Sequence, residues 1–105
     1  MIYTLYKSLT WLAAPLVKSH IYGRIQRGKE DPDRIQERFG VAGKSRPQGF
    51  LIWGHAASVG EAQSLLSVIN RILQEDRNLK ILVTTGTVTS AKMMAKQLPK
   101  NCIHQ

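Results

Sequence analysis

Phe50-Leu51-Ile52-Trp53-Gly54-His55-Ala56-Ala57-Ser58-Val59-Gly60-Glu61 opens the stretch that decides the fold of this chain. Phe50 to Trp53 is a short apolar run, suited to a strand buried on both faces, and Gly54 to Gly60 form a turn. Ala62, Leu65, Leu66, Ile69, Ile72 and Leu73 then recur at the one-face spacing of an amphipathic helix, which Glu75-Asp76-Arg77-Asn78 ends. The cycle repeats. Leu79 to Thr84 is a second strand, Thr85-Gly86-Thr87 a second strand-to-helix turn, and Val88, Ala91, Ala95 and Leu98 mark one face of a second helix closed by Pro99. Cys102-Ile103-His104 begins a third strand. Strand, helix, strand, helix, strand in close succession implies parallel strands with right-handed crossovers. Because a sheet of three strands keeps unpaired edges and the third strand is only starting, residues 50–105 are expected to be an incomplete α/β unit, Rossmann-like in its succession of elements.

Residues 23–49 precede this unit as a basic connector. Asp31-Pro32-Asp33 offers a helix start with Asp31 or Asp33 as cap, Arg34 to Phe39 continue it, and Gly40 stops it. Gly43, Pro47 and Gly49 mark the loop that leads into the apolar block.

Residues 1–22 form an apolar lead. Its longest uncharged run, Ser8 to Val17, is ten residues, against the roughly 20 needed to span a bilayer as a helix. Even tolerating Lys7, a span is marginal. The start of the chain is not basic and no small-residue cleavage site follows, which disfavours a secretory signal. A helix lying at a membrane surface fits better, since Tyr3, Tyr6, Trp11 and Tyr22 suit the headgroup level, the alternative being an ordinary helix buried against another part of the protein. Lys18, Arg24, Arg27 and Lys29 follow, as a segment held at an anionic leaflet requires. Pro15 is expected to kink that helix or end its first part.

The whole chain has 105 residues and a net charge of +8, from 15 Lys+Arg against 7 Asp+Glu. Such an excess fits nucleic acid, anionic lipid or phosphorylated substrates. Residues 1–50 carry more of it than residues 51–105, but the basic residues are scattered and no RNA-binding motif is present, so nucleic acid is disfavoured. Cys102 is the lone cysteine, which rules out an intrachain disulfide, and no Cys/His spacing points to a metal. Neither turn matches the Gly-rich dinucleotide fingerprint or the phosphate-binding loop, so no cofactor is indicated.

Two turns are placed where open α/β sheets bind their ligands, at the carboxyl ends of parallel strands. In the first, Gly60 lets the backbone approach a ligand, the helix start supplies free N–H groups, and Glu61 is able to accept a proton from a substrate hydroxyl. Ser58-x-x-Glu61 is equally a capping box, with the Ser58 side chain accepting the Glu61 N–H and Glu61 reaching back to the Ser58 N–H. From spacing alone the cap is the favoured reading. The second turn, Thr84 to Ser90, reads as a capped helix start with Thr85 or Thr87 as cap.

His55-Ala56-Ala57-Ser58-Val59-Gly60-Glu61, Ile81 to Ala91 with its Thr84-Thr85-Gly86-Thr87-Val88-Thr89-Ser90 core, and Ile103-His104-Gln105 together resemble the 3-deoxy-D-manno-octulosonic acid (Kdo) transferases. Glu37-Arg38-Phe39-Gly40 and the apolar lead are similar to that family as well. The resemblance implies the two-Rossmann-domain GT-B architecture, of which this chain is the lead and the first half of the acceptor domain. It implies transfer of Kdo from CMP-Kdo, as donor substrate, to a lipid A precursor (lipid IVA) in lipopolysaccharide synthesis, at the cytoplasmic face of the bacterial inner membrane. By the same resemblance Glu61 is the general base and Ser58 and Gly60 lie on the acceptor side, with no metal, which reverses the spacing-only weighting. The alternatives are another membrane-associated GT-B glycosyltransferase and a non-catalytic basic α/β binding module.

Overall fold

The computed structural model describes residues 1–105, which form two compact units, Met1–Pro32 and Asp33–Gln105. The first unit is dominated by α1 (Ile2–Gln26). This helix runs through Pro15 without ending there, and it passes the expected boundary at residue 22. The reason lies in its true stop, Gly28. With a φ of 73°, Gly28 takes the left-handed conformation, so its N–H reaches Ile25 O at 3.0 Å and the Lys29 N–H reaches Arg24 O at 3.0 Å. That pair of bonds is a Schellman termination.

No residue of α1 is buried. Ile2, Leu5, Leu9, Leu12 and Leu16 fall along one side at alternating steps of three and four, while Tyr3, Trp11 and Tyr22 are exposed elsewhere on the surface. The division into an apolar and a polar face is therefore weak, less one-sided than an amphipathic helix needs. No helix in the structure is long and apolar enough to cross a membrane. Near its end, the Arg24 Nε donates to Glu30 Oε1 at 2.9 Å, an ion pair that neutralises one of the basic residues following the apolar run.

A 3₁₀ helix, Pro32–Phe39, begins on the last residue of the first unit and runs into the second, and Gly40 stops it at a φ of 79°. Ile35 is its one buried residue. The α/β unit follows as β1 (Leu51–Ala56), α2 (Val59–Glu75), β2 (Lys80–Thr85), α3 (Val88–Gln97) and β3 (Cys102–His104). All pairings are parallel, in the order β1-β2-β3, with Ile52 opposite Ile81 and Val83 opposite His104.

That order explains where the core sits. Two successive right-handed crossovers stepping the same way across a sheet place both helices on one face. On that face Ala56, Ala62, Leu66, Ile69, Ile81, Val83 and Met94 are buried together, and Ile52, Leu65, Ile72, Leu73, Met93, Leu98 and Cys102 pack against them. All six apolar positions expected on α2 belong to this cluster. At Gly54 a Cβ would meet Leu65 Cδ1 at 2.8 Å, so the absence of a side chain lets α2 approach β1 closely.

Two expectations are corrected. The first strand is not buried on both faces: Trp53 is 67% exposed, because no helix lies on its side of the sheet. The face of α3 is also rotated from the expected one. Met94 and Ser90 are buried, whereas Ala95 is exposed. A methionine gains far more by burial than an alanine. Ser90 tolerates burial because its hydroxyl bonds Thr87 O at 3.0 Å and Thr87 Oγ1 at 2.6 Å.

Candidate functional site

The carboxyl ends of β1, β2 and β3 bring together the β1–α2 turn, the β2–α3 turn and the end of the 3₁₀ helix. Ser58 caps α2 from an extended conformation, and its Oγ accepts the Glu61 N–H at 3.2 Å. The Glu61 carboxylate bends back over the turn, but to a different donor than the sequence suggests. Its Oε2 accepts the Ala57 N–H at 2.7 Å, one residue before Ser58. The donor differs, yet the consequence is the same: an exposed carboxylate is oriented by the peptide at the end of β1 and by the first turn of α2. Ser58, Gly60 and Glu61 are thus three neighbours on one open helix start, all exposed to solvent.

Gly60 has no atom within 4 Å of where a Cβ would lie. Nothing in the fold demands a glycine there. Gly60→Ala is expected to leave the melting temperature unchanged or raise it, since alanine in a helix is favoured over glycine by about 0.5–1 kcal/mol.

Beside this turn, Thr87 caps α3, its Oγ1 accepting the Ser90 N–H at 3.2 Å, which decides between the two candidate caps. Thr85 instead faces His104, with 2.9 Å between Thr85 Oγ1 and His104 Nε2. The other ring nitrogen, Nδ1, lies 3.2 Å from Arg34 Nη1. A guanidinium only donates, so Nδ1 is the acceptor and Nε2 carries the proton toward Thr85. Arg34 is itself clamped by Glu37 through two bonds of 2.6 and 2.9 Å. These residues, 70 apart in sequence between Arg34 and His104, were not legible as a cluster from spacing.

His104 is 7% exposed, and its pKa lies below the ordinary 6.5 because of its burial first and the Arg34 charge second. Lys44 adds to the lowering, and Glu37 opposes it. The unfolded chain therefore takes up a proton near pH 6.5 that the folded chain resists. Stability is fully present above that value and falls as pH drops through the window between 6.5 and the lower folded pKa. Urea midpoints measured across that window are expected to slope downward toward acid, and His104→Gln to flatten the slope.

On the open face of the sheet, Thr84 Oγ1 accepts the Trp53 Nε1–H at 2.9 Å and lies 2.8 Å from His55 Nδ1. No group of three or more His, Cys, Asp or Glu side chains is placed to hold a metal. The hollow lined by Pro47, Arg77, Asn78, Lys80 and Asn101 lies at the amino ends of the strands, away from Glu61.

A family model described as 3-deoxy-D-manno-octulosonic-acid transferase (kdotransferase) matches residues 33–105. The chain belongs to the kdotransferase family. Among curated relatives of the family, the probable mitochondrial 3-deoxy-D-manno-octulosonic acid transferase of Arabidopsis thaliana is 41% identical over 99% of this chain and 23% of that protein. The 3-deoxy-D-manno-octulosonic acid transferase of Rickettsia bellii is 40% identical over 96% of this chain and 24% of that protein. That of Haemophilus influenzae is 29% identical over 94% of this chain and 23% of its own length. The chain thus spans about a quarter of the length of these kdotransferases. No solved structure matches it.

Proposed function

We propose that this chain contributes the acceptor-side catalytic base of a Kdo transferase, and that the base is Glu61. Its support is one observation joined to family membership: an exposed carboxylate, oriented by the Ala57 N–H, at the carboxyl end of a parallel strand. A sugar hydroxyl is a poor nucleophile until a positioned base takes its proton. In the proposed reaction Glu61 removes the proton from the acceptor hydroxyl, whose oxygen forms a bond to the anomeric carbon of Kdo. The bond to CMP breaks on the opposite side, its electron pair leaving with CMP, and the centre inverts.

The proposed donor is CMP-Kdo and the proposed acceptor a lipid A precursor, lipid IVA, used in lipopolysaccharide synthesis. The proposed frame is GT-B, in which residues 50–105 belong to the first of two Rossmann-like domains and the donor is held largely by the second. The basic lead would work at an anionic membrane surface, on the cytoplasmic face of the bacterial inner membrane. Arg24 and Arg34 are poorly suited to meet acceptor phosphates, because each is engaged by a carboxylate, Glu30 and Glu37 respectively. Ser58 and Gly60 line the acceptor side in this reading. The deciding experiment is Glu61→Gln in the full-length protein, assayed with CMP-Kdo and lipid IVA.

A further inference from the structure

Arg38 stands at the end of the 3₁₀ helix, where its Nη2 donates to the Gly86 carbonyl at 2.9 Å. Gly86 is the middle residue of the β2–α3 turn, and it touches the β1–α2 turn in two ways. Its N–H donates to Ala56 O at 3.1 Å. Its Cα also lies so near the neighbouring turn that a Cβ would sit 3.4 Å from both the Cα and the carbonyl oxygen of Ala57. Ala57 is the residue whose N–H holds Glu61 Oε2 at 2.7 Å. Three segments distant in sequence therefore form one line of contacts, from a guanidinium to a carboxylate.

We infer that Arg38 is a positioning residue for Glu61. By holding the Gly86 carbonyl it seats the β2–α3 turn against Ala56 and Ala57, and so fixes the peptide N–H that aims the Glu61 carboxylate. This inference rests on the reading of Glu61 as the base. Two physical facts give it weight. A hydrogen bond from a charged donor is roughly twice as strong as a neutral one, and it acts here on a glycine, the residue whose backbone is otherwise freest to move. A base must come within about 2.6–3.2 Å of the atom that bears the proton it takes, so a drift of about 1 Å costs up to about 10²-fold.

A double-substitution cycle in the full-length protein separates this role from simple support of the fold. Arg38→Met keeps side-chain length and removes the donors; it is expected to lower kcat about 10- to 10²-fold with little change in the acceptor KM. Arg38→Lys, which retains a donor for Gly86 O, is expected to recover most of that rate. In a Glu61→Gln background the Arg38→Met change is expected to cost less than about twofold more, because its effect passes through a base already gone. Melting curves show which variants are folded, and if Arg38→Met is not, Arg38→Gln takes its place in the cycle. Multiplicative losses in the double variant, or a loss confined to KM, would overturn the role of Arg38. A Glu61→Gln variant that transfers Kdo at the normal rate would instead overturn the reading of Glu61 beneath it.

Discussion

With Glu61 as the proposed base, Glu61→Gln is expected to slow the proposed Kdo transfer by about 10²–10⁴-fold, the usual worth of general-base assistance, while the melting temperature stays at the wild-type value. The separation of the two effects follows from the geometry. Glu61 has two structural duties, offering its own N–H to Ser58 Oγ and accepting the Ala57 N–H at Oε2. The first belongs to the backbone and survives any substitution. The second needs an oxygen acceptor, and the glutamine amide supplies one of the same length and shape. What glutamine does not supply is a basic lone pair that takes a proton at neutral pH. Glu61→Ala is the informative contrast, since it removes both the base and the Ala57 bond and should lower stability as well as rate. A rate that follows stability across the two variants would identify Glu61 as a helix cap and nothing more.

Those parts of the structure that depend on local pattern were readable in the sequence. The apolar spacing of α2 placed Ala62, Leu65, Leu66, Ile69, Ile72 and Leu73 in the core, because a helix long enough to show its period repeatedly leaves little ambiguity. The shorter α3 misled, since Ala91 and Ala95 keep the period but gain little by burial, while Met94 and a self-satisfied Ser90 gain or tolerate more. The burial of β1 was misjudged for a different reason. An apolar run says that a strand has apolar sides, whereas the side that is covered depends on strand order and crossover direction. Trp53 lies on the side that the two crossovers leave bare.

The candidate site divides along the same line. Ser58, Gly60 and Glu61 are contiguous, so their shared helix start was visible, although the donor to the Glu61 carboxylate turned out to be Ala57. Arg34 with His104, and Arg38 with Gly86, join segments 70 and 48 residues apart. Such pairs have no period and no spacing. They follow only once the parallel register has set the ends of β2 and β3 beside the 3₁₀ helix, as the pairing of Val83 with His104 does.

Ile69→Ala is expected to produce the largest loss of stability among single apolar truncations of α2. Ile69 is 1% exposed and belongs to the cluster formed by Ala56, Leu66, Ile81, Val83 and Met94. Truncating a buried isoleucine to alanine costs about 2–5 kcal/mol, part for the lost burial and part for the cavity left behind. At about 4–8 °C per kcal/mol for a domain of this size, the melting temperature should fall by roughly 8–40 °C. Val68, the preceding residue on the same helix, is 53% exposed, and Val68→Ala should stay within about 0.5 kcal/mol of wild type. Ile69→Val, which leaves a smaller void, should fall between them at about 0.5–1.5 kcal/mol. Because Ile69 lies ten residues along α2 from Val59, away from the helix start that carries Glu61, Ile69→Ala should reduce the proposed transfer only through the fraction of molecules folded. Below its own melting transition, its rate per folded molecule should match wild type, in contrast to Glu61→Gln, where every folded molecule is slow. Equal melting temperatures for the Val68 and Ile69 variants would mean that α2 does not dock on the sheet by the face described.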